Sequence, residues 1–329
     1  MAESEPKAGA NRAKIAIFIS GTGTNMAALL YASHLEGSPF EIVLVASNIA
    51  KATGLALAQL EGIPTFTHSH KGHSRESHDA AMEAAVIESG AQTIVLAGYM
   101  RILSDSFVER WAGRILNIHP SLLPKYRGLD TYARAIEAGD SHAGASVHVV
   151  TPELDAGEVL AQARVAIAPD DTPETLAARV KIVEHQLYPR AVAQFVSRGS
   201  DPDYLYTRVA ALALTLPETH AKDSHGSPAF RVGTEKSGKF FAHFAENHHG
   251  SEHIAVLVKT SGLNELLNLV EAQPQVYFKP AYYGASGWIG LILNRPDVDW
   301  AHVGEWVERS WRSVAPARLT KLRDAADMF

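Results

Sequence analysis

The chain has 329 residues, of which 46% are hydrophobic and 20% charged, and a formal net charge of −6. That length suggests two domains, and the charge balance gives no prior for nucleic acid or an anionic membrane. With no cysteine there is no disulfide framework, thiolate nucleophile or cysteine metal site, and no apolar run reaches the roughly 18 residues that span a bilayer.

The first thirteen residues, "MAESEPKAGANRA", are small and polar, lack the apolar centre of a signal peptide, and read as a disordered tail (1–13). A cytoplasmic protein is therefore expected. From residue 14, short β-rich runs alternate with helical patterns. The runs are "KIAIFIS" (14–20), "EIVLVAS" (41–47), "IPTFTHS" (63–69), "TIVLAGYM" (93–100), "RILNI" (114–118), "ASVHVVT" (145–151) and "LAQARVAI" (160–167). Several are continuously apolar, as strands covered on both faces are. With helices between them, such as 75–89, they predict an α/β domain with a mostly parallel, doubly wound sheet. A long helix is expected over 173–197, with Thr172 as its N-cap.

The turn-rich "SRGSDPD" (197–203) marks a boundary between domains at 14–199 and 200–329. Beyond it come a helix (204–215), three alternating strand patterns, a helix (263–272), the strand patterns "VYFKPAYY" and "WIGLILN", and a long helix from about 299. This order predicts a smaller α+β module with an antiparallel sheet.

In doubly wound sheets, ligands bind beyond the carboxyl ends of the strands, and three segments fall there. "SGTGTN" (20–25) joins the first strand to a helix, where glycines allow a tight turn and free N–H groups attract an anion. A plain strand-to-helix turn reads equally. Met26 replaces the third glycine of a dinucleotide fingerprint, and the second strand ends in Ser47 and Asn48, so a single phosphate fits better than NAD. "NIHPSLLPKYRG" (117–128) holds Asn117 and His119 in a proline-stiffened loop. Asn supplies an N–H donor for an oxyanion and His handles a proton near neutral pH, though a polar loop with a hydrogen-bonded His is the plainer reading. "TPELDAGEVL" (151–160) places Asp155 where it could face His119, orient the ring and favour its charged form, or simply make a hairpin turn. No "GxSxG" elbow or phosphate-binding lysine motif is present. An Asn, a His and an Asp without a nucleophile suit acyl transfer to an amine of the substrate.

Together "ISGTGTN", "LAGYMRIL", "NIHPSLLPKYRG" and "HVVTPELDAGEVLAQ", in this order and spacing, resemble the glycinamide ribonucleotide formyltransferases of purine biosynthesis. The resemblance covers roughly residues 14 to 197 and implies a formyltransferase-like fold. It implies that Gly23, Thr24 and Asn25 receive the phosphate of the ribonucleotide and that Glu184 contacts the same substrate. Arg75 with Met100, Arg101, Ile102 and Leu103 would line the folate pocket, together with main-chain groups from Thr151 to Asp155. Asn117, His119 and Asp155 would be catalytic, the cosubstrate 10-formyltetrahydrofolate, and no metal would be needed. Arg127 before Gly128 resembles methionyl-tRNA formyltransferases, but those lack "SGTGTN" and carry a basic RNA-binding barrel. The alternative reading is formyltetrahydrofolate deformylase, which shares both loops but has an N-terminal regulatory domain where only about thirteen residues stand here.

"THSHKGHSRESH" (67–78) carries His68, His70, His73 and His78. Close histidines can bind zinc, but the spacing fits no single helix face, and a solvated loop is the better expectation. The pieces "ALTLPET", "PAFRVGTEKSGKFFAHF", "YFKPAYYGASGWIGLIL" and "SWRSVAPARL" resemble the MmcQ/YjbR-like family, which is frataxin-like in fold and associated with DNA binding. From residue 200 on there are 13 Lys and Arg against 15 Asp and Glu, a net of −2, which argues against a duplex-binding face. One basic cluster stands out on the last helix: Arg309, Arg312, Arg318, Lys321 and Arg323. The aromatic group Tyr277, Phe278, Tyr282, Tyr283 and Trp288 reads as core rather than as a base-stacking platform. A binding module and an interaction or stabilising domain are the two readings; the oligomeric state is open.

Overall fold

The first apolar run forms β1 (Ala13–Ile19), fully buried from Ile15 onward because other strands and helices cover both its faces. The computed structural model describes residues 12–224, 226–234, 238–295 and 298–326. These divide into two units between Val196 and Ser197. Most of the tail expected over 1–13 lies outside the described residues. Its last two belong to the folded unit: Arg12 bonds the carbonyls of Ser33 and Phe40, and Ala13 opens β1.

In the first unit β1 is followed by α1 (Thr24–Ser33), β2 (Phe40–Ser47), α2 (Gly54–Leu60), β3 (Thr65–Thr67) and α3 (Arg75–Ser89). Then come β4 (Thr93–Leu96), α4 (Asp105–Arg110), β5 (Ile115–His119), α5 (Thr131–Glu137), β6 (His142–Val149), β7 (Val159–Ala166) and α6 (Pro173–Ser197). The seven strands form one sheet in the order β3-β2-β1-β4-β5-β6-β7. The first five are parallel, while β6 runs against both β5 and β7. The crossover from β3 through α3 to β4, which pairs with β1, reverses the winding direction, so the loops after β1 and β4 leave a crevice between them. Because β6 is reversed it ends opposite the start of β5, Val149 facing Leu116, and the Thr151–Glu158 connection folds back so that Asp155 reaches His119. Thr172 caps α6 as expected, accepting from the Thr175 N–H at 3.3 Å.

The second unit contains α7 (Pro202–Ala213), β8 (Thr219–Ala221), β9 (Ala229–Val232), β10 (Lys239–Glu246), β11 (Ile254–Lys259) and α8 (Leu263–Ala272). It closes with β12 (Tyr277–Phe278), β13 (Trp288–Ile292), α9 (Trp300–Arg312) and α10 (Ala317–Ala326). Its sheet is antiparallel throughout, in the order β12-β13-β11-β10-β9-β8. Leu205, Val209, Phe230, Phe241, Trp306 and Trp311 meet in its core.

Two expectations need correction here. The strand read over "VYFKPAYY" is only two residues long, because Pro280 has no N–H to give a ladder and Tyr282 sits at φ 61°. The long closing helix is two helices, broken at Pro316.

Candidate active site

The phosphate-loop segment forms as a sharp turn. Gly23 stands at φ 71°, and no side chain caps the start of α1, whereas Ser74, Ser104, Asp201 and Asp299 cap α3, α4, α7 and α9. The N–H groups of the first turn are thus left for an outside acceptor. Gly54, at the start of α2, packs here: a Cβ on Gly23 would lie 3.1 Å from its Cα. Asn25 is buried and its Nδ2 donates to Glu184 Oε2 on α6 at 2.8 Å, while its Oδ1 has no partner among the described residues. Burial pushes the Glu184 carboxyl up from the ordinary range, and the hydrogen bond from Asn25 offsets part of that push. The structure therefore brings Gly23, Thr24, Asn25 and Glu184 together.

At the end of β5 the side chains of Asn117 and His119 meet the Thr151–Glu158 connection. Asp155 stands at φ 50° in that turn, with Oδ2 3.4 Å from His119 Nδ1 and 3.0 Å from the Gly128 N–H. His119 Nε2 is 3.0 Å from the Tyr126 carbonyl, so both ring nitrogens face an oxygen, which suits a ring that donates twice. Burial alone would raise the Asp155 carboxyl; the His148 ring, the Gly128 N–H and the charge of His119 outweigh it and hold the group below the usual range.

His148 was not singled out in the sequence. It lies opposite Asn117 in the β5–β6 ladder, with Nε2 3.2 Å from Asn117 Nδ2 and 3.6 Å from Asp155 Oδ1. Arg127 pairs with Glu153 at 2.5 Å and so ties the proline loop to the Asp155 turn, an exposed pair of small energetic weight.

Of the segment expected to line a folate pocket, Met100 (74% exposed) and Ile102 (57%) project outward, while Leu103 turns into the core. Arg101 is half-buried and its Nε has no partner among the described residues. Arg75 stands exposed in the first turn of α3 rather than in a loop, and with Arg101 it holds the Glu76 carboxyl low, after the larger effects of the Glu76 N–H and Ser74. Thr151 uses its hydroxyl on the Glu153 carbonyl at 3.1 Å.

The histidine segment is a loop over 68–74 and is exposed from Lys71 to Ser77, as expected, but its last histidine is not part of that loop. His78 belongs to α3 and is fully buried beside Asp79, and the rings of His68 and His73 lie 4.7 Å apart, those of His68 and His78 5.4 Å. Among the described residues no three His, Asp or Glu converge as metal ligands.

The basic cluster of the second unit is divided between α9 and α10, and its guanidinium groups already hold acids. Arg309 pairs with Glu265, Arg312 with Glu308 and Asp324, Arg318 with Glu218, and Arg323 with Glu308, at 2.6 to 3.1 Å. Of the aromatic group, Tyr277 and Trp288 are buried, but Tyr282 is 81% exposed.

The formyl transferase family matches residues 13–192 and the YjbR family residues 214–313. The phosphoribosylglycinamide formyltransferase of Haemophilus influenzae is 46% identical over 183 residues, 55% of this chain and 86% of that protein. The trifunctional purine biosynthetic protein adenosine-3 of Gallus gallus is also 46% identical, over 191 residues that are 58% of this chain but only 19% of that much longer protein. The crystal structure of phosphoribosylglycinamide formyltransferase from Brucella melitensis superposes with a TM-score of 0.55 at 49% identity, covering 57% of this chain and 97% of that one. With its sheet, its three loops and its relatives in agreement from residue 13 to 192, this chain belongs to the formyl transferase family.

Proposed function

We propose that the first unit transfers the formyl group of 10-formyltetrahydrofolate to the amine of 5'-phosphoribosylglycinamide, a step of purine biosynthesis. The observation that carries this reading is the meeting of Asn117, His119 and Asp155 at one strand end, on the same sheet edge as the uncapped helix start with Asn25 and Glu184. The substrate phosphate takes the N–H groups of Gly23, Thr24 and Asn25, and Glu184 holds the sugar. The folate lies along Arg75, Met100, Arg101 and Ile102, with backbone groups of Leu103 and of Thr151 to Asp155.

The amine attacks the formyl carbon. Asn117 and the charged His119 donate to the oxygen that becomes negative, His119 exchanging the Tyr126 carbonyl for it at Nε2 while Asp155 keeps Nδ1. The C–N10 bond then breaks, and the proton lost from the amine reaches N10 of tetrahydrofolate through a water. Each such donor is worth about 3–4 kcal/mol in the transition state. Incubation with both substrates should give formylated nucleotide, with Asn117→Ala and His119→Ala each at least a hundredfold slower. Near-normal turnover in either variant defeats the assignment, and formate release without the nucleotide would point to a deformylase instead.

For the second unit, here read as the domain from about residue 200, we favour an interaction or stabilising role. Guanidinium groups already engaged with carboxylates are poor at exchanging them for phosphates, which counts against duplex DNA. Salt-dependent DNA binding by the full chain would reverse that preference.

A further inference from the structure

Two hydrogen-bond chains run from the ends of the Met100–Ser104 loop to the histidine-rich segment. In the first, the Met100 N–H donates to Ser20 Oγ at 2.7 Å, Ser20 Oγ donates to Asn48 Oδ1 at 2.6 Å, and Asn48 Nδ2 donates to His70 Nδ1 at 3.2 Å. In the second, the Ser104 N–H donates to Asp79 Oδ2 at 2.6 Å. Asp79 Oδ1 lies 3.3 Å from His78 Nδ1, and His78 Nε2 is 3.0 Å from the His68 carbonyl.

Every intermediate side chain is buried: Ser20 and Asn48 at 7% and 3% exposure, His78 and Asp79 at 0%. Buried polar groups of this kind cost stability unless each finds its partner, so the two chains are cooperative units in which removing one member leaves the next unsatisfied. The chains converge on one patch. His70 and His78 rings are 6.5 Å apart, His68 touches His78, and the His68 N–H bonds the Ser47 carbonyl beside Asn48 at 3.1 Å.

Met100 and Ile102 are exposed between the two anchored ends. Leu103 packs into the core at one end, but exposed side chains cannot hold the stretch from Met100 to Ile102 by packing, so its shape depends on the anchors beside it. We infer that His70 and His78 are positioning residues which, through Asn48–Ser20 and through Asp79, hold the 100–104 loop in the shape that receives the folate. This rests on the formyl-transfer reading for its ligand, but not for the brace itself.

Two measurements on the full chain with His70→Ala and His70→Asn separate the parts. Asn can offer an acceptor near the place of Nδ1, so it should restore what Ala removes. Amide hydrogen exchange without ligand should show the Met100 N–H exchanging roughly five- to tenfold faster in His70→Ala, with Ser104 unchanged and His70→Asn near wild type, the size of one net hydrogen bond. In kinetics the same variant should raise KM for 10-formyltetrahydrofolate by a similar factor, leaving kcat and the KM for the ribonucleotide within twofold. Unchanged exchange at Met100 overturns the brace. Faster exchange with unchanged folate KM, or equal effects on both substrates, overturns its role in folate binding. An inactive wild type would overturn formyl transfer, while the exchange result would still decide the brace.

Discussion

Asn117 Nδ2 lies 3.2 Å from His148 Nε2, and the other nitrogen of that ring is 3.0 Å from the Val149 carbonyl. A carbonyl can only accept, so Nδ1 carries a proton, and whenever the ring is neutral its Nε2 accepts from Asn117; a second proton there turns Nε2 toward Asp155 Oδ1, 3.6 Å away. One amide N–H is thereby engaged and the second is left for the oxygen that becomes negative in the proposed reaction. His148 thus sets the orientation of the proposed oxyanion donor without touching substrate.

His148→Ala should lower kcat about tenfold, less than Asn117→Ala, because the amide is still present but free to rotate. His148→Gln, which can still accept, should recover part of that loss. Steady-state rates of the three variants check the order. Equal losses in His148→Ala and His148→Gln would mean the ring acts through packing rather than through its acceptor.

Asp155 faces His119 and His148, and its carboxyl is held below the usual range despite burial. A carboxyl with a lowered folded-state pKa contributes stability that is present above its unfolded value and lost as pH falls through the folded one. Asp155→Asn should therefore remove an acid-sensitive part of the stability, visible as a flatter fall in Tm on acidification. The same change leaves the ring of His119 without its anionic partner, and kcat should fall on the order of a hundredfold at neutral pH. A loss of kcat under threefold would remove Asp155 from the catalytic trio.

In the second unit the Arg309 guanidinium, with the Ser261 N–H and hydroxyl, pulls Glu265 from 4.5 to about 2 against the opposing effect of burial. The sign is that of a depressed acid: the contribution is complete above about 4.5 and disappears as pH drops toward 2. The pair is partly exposed, so solvent screening leaves about 1 kcal/mol at neutral pH. Glu265→Gln should lose that amount and show less pH dependence between those values. Tryptophan fluorescence reports it, since four of the five tryptophans (288, 300, 306 and 311) lie in this unit.

What could be read in the sequence followed the range of the forces involved. Continuous apolar runs located β1, β2 and β5, and helical spacing located α3 and, with Thr172 as its cap, α6, because those signals are local. Asn117 and His119 stood out through the prolines around them. His148 did not, since "ASVHVV" looks like any buried strand and its meaning comes from a register with Asn117, 31 residues away. The Asp79 bond to Ser104 and the Arg318 pair with Glu218 are long-range in the same way. Pro316 was visible, but the apolar pattern on either side of it read as one helix.

Gly157 offers the sharpest test of how the Asp155 turn is built. It follows Asp155 by two residues, and a Cβ there would lie 1.8 Å from the Val149 carbonyl oxygen and 2.9 Å from its carbon. Those atoms are backbone of β6, whose Val149 N–H bonds the Glu158 carbonyl at 2.9 Å, so neither side can yield without opening the β6–β7 junction. Gly157→Ala should cost about 2–3 kcal/mol, at the upper end for overpacking. It should also displace Asp155 from His119, so that kcat falls as in Asp155→Asn. Gly37 is the control: at φ 76° with nothing within 4 Å of a Cβ, its change to Ala carries backbone strain alone, about 1–2 kcal/mol, and should leave kcat unchanged. Denaturant melts and rates of the two variants distinguish them: a Gly157→Ala protein with full activity would mean that the turn tolerates displacement and that the His119–Asp155 distance does not govern the rate.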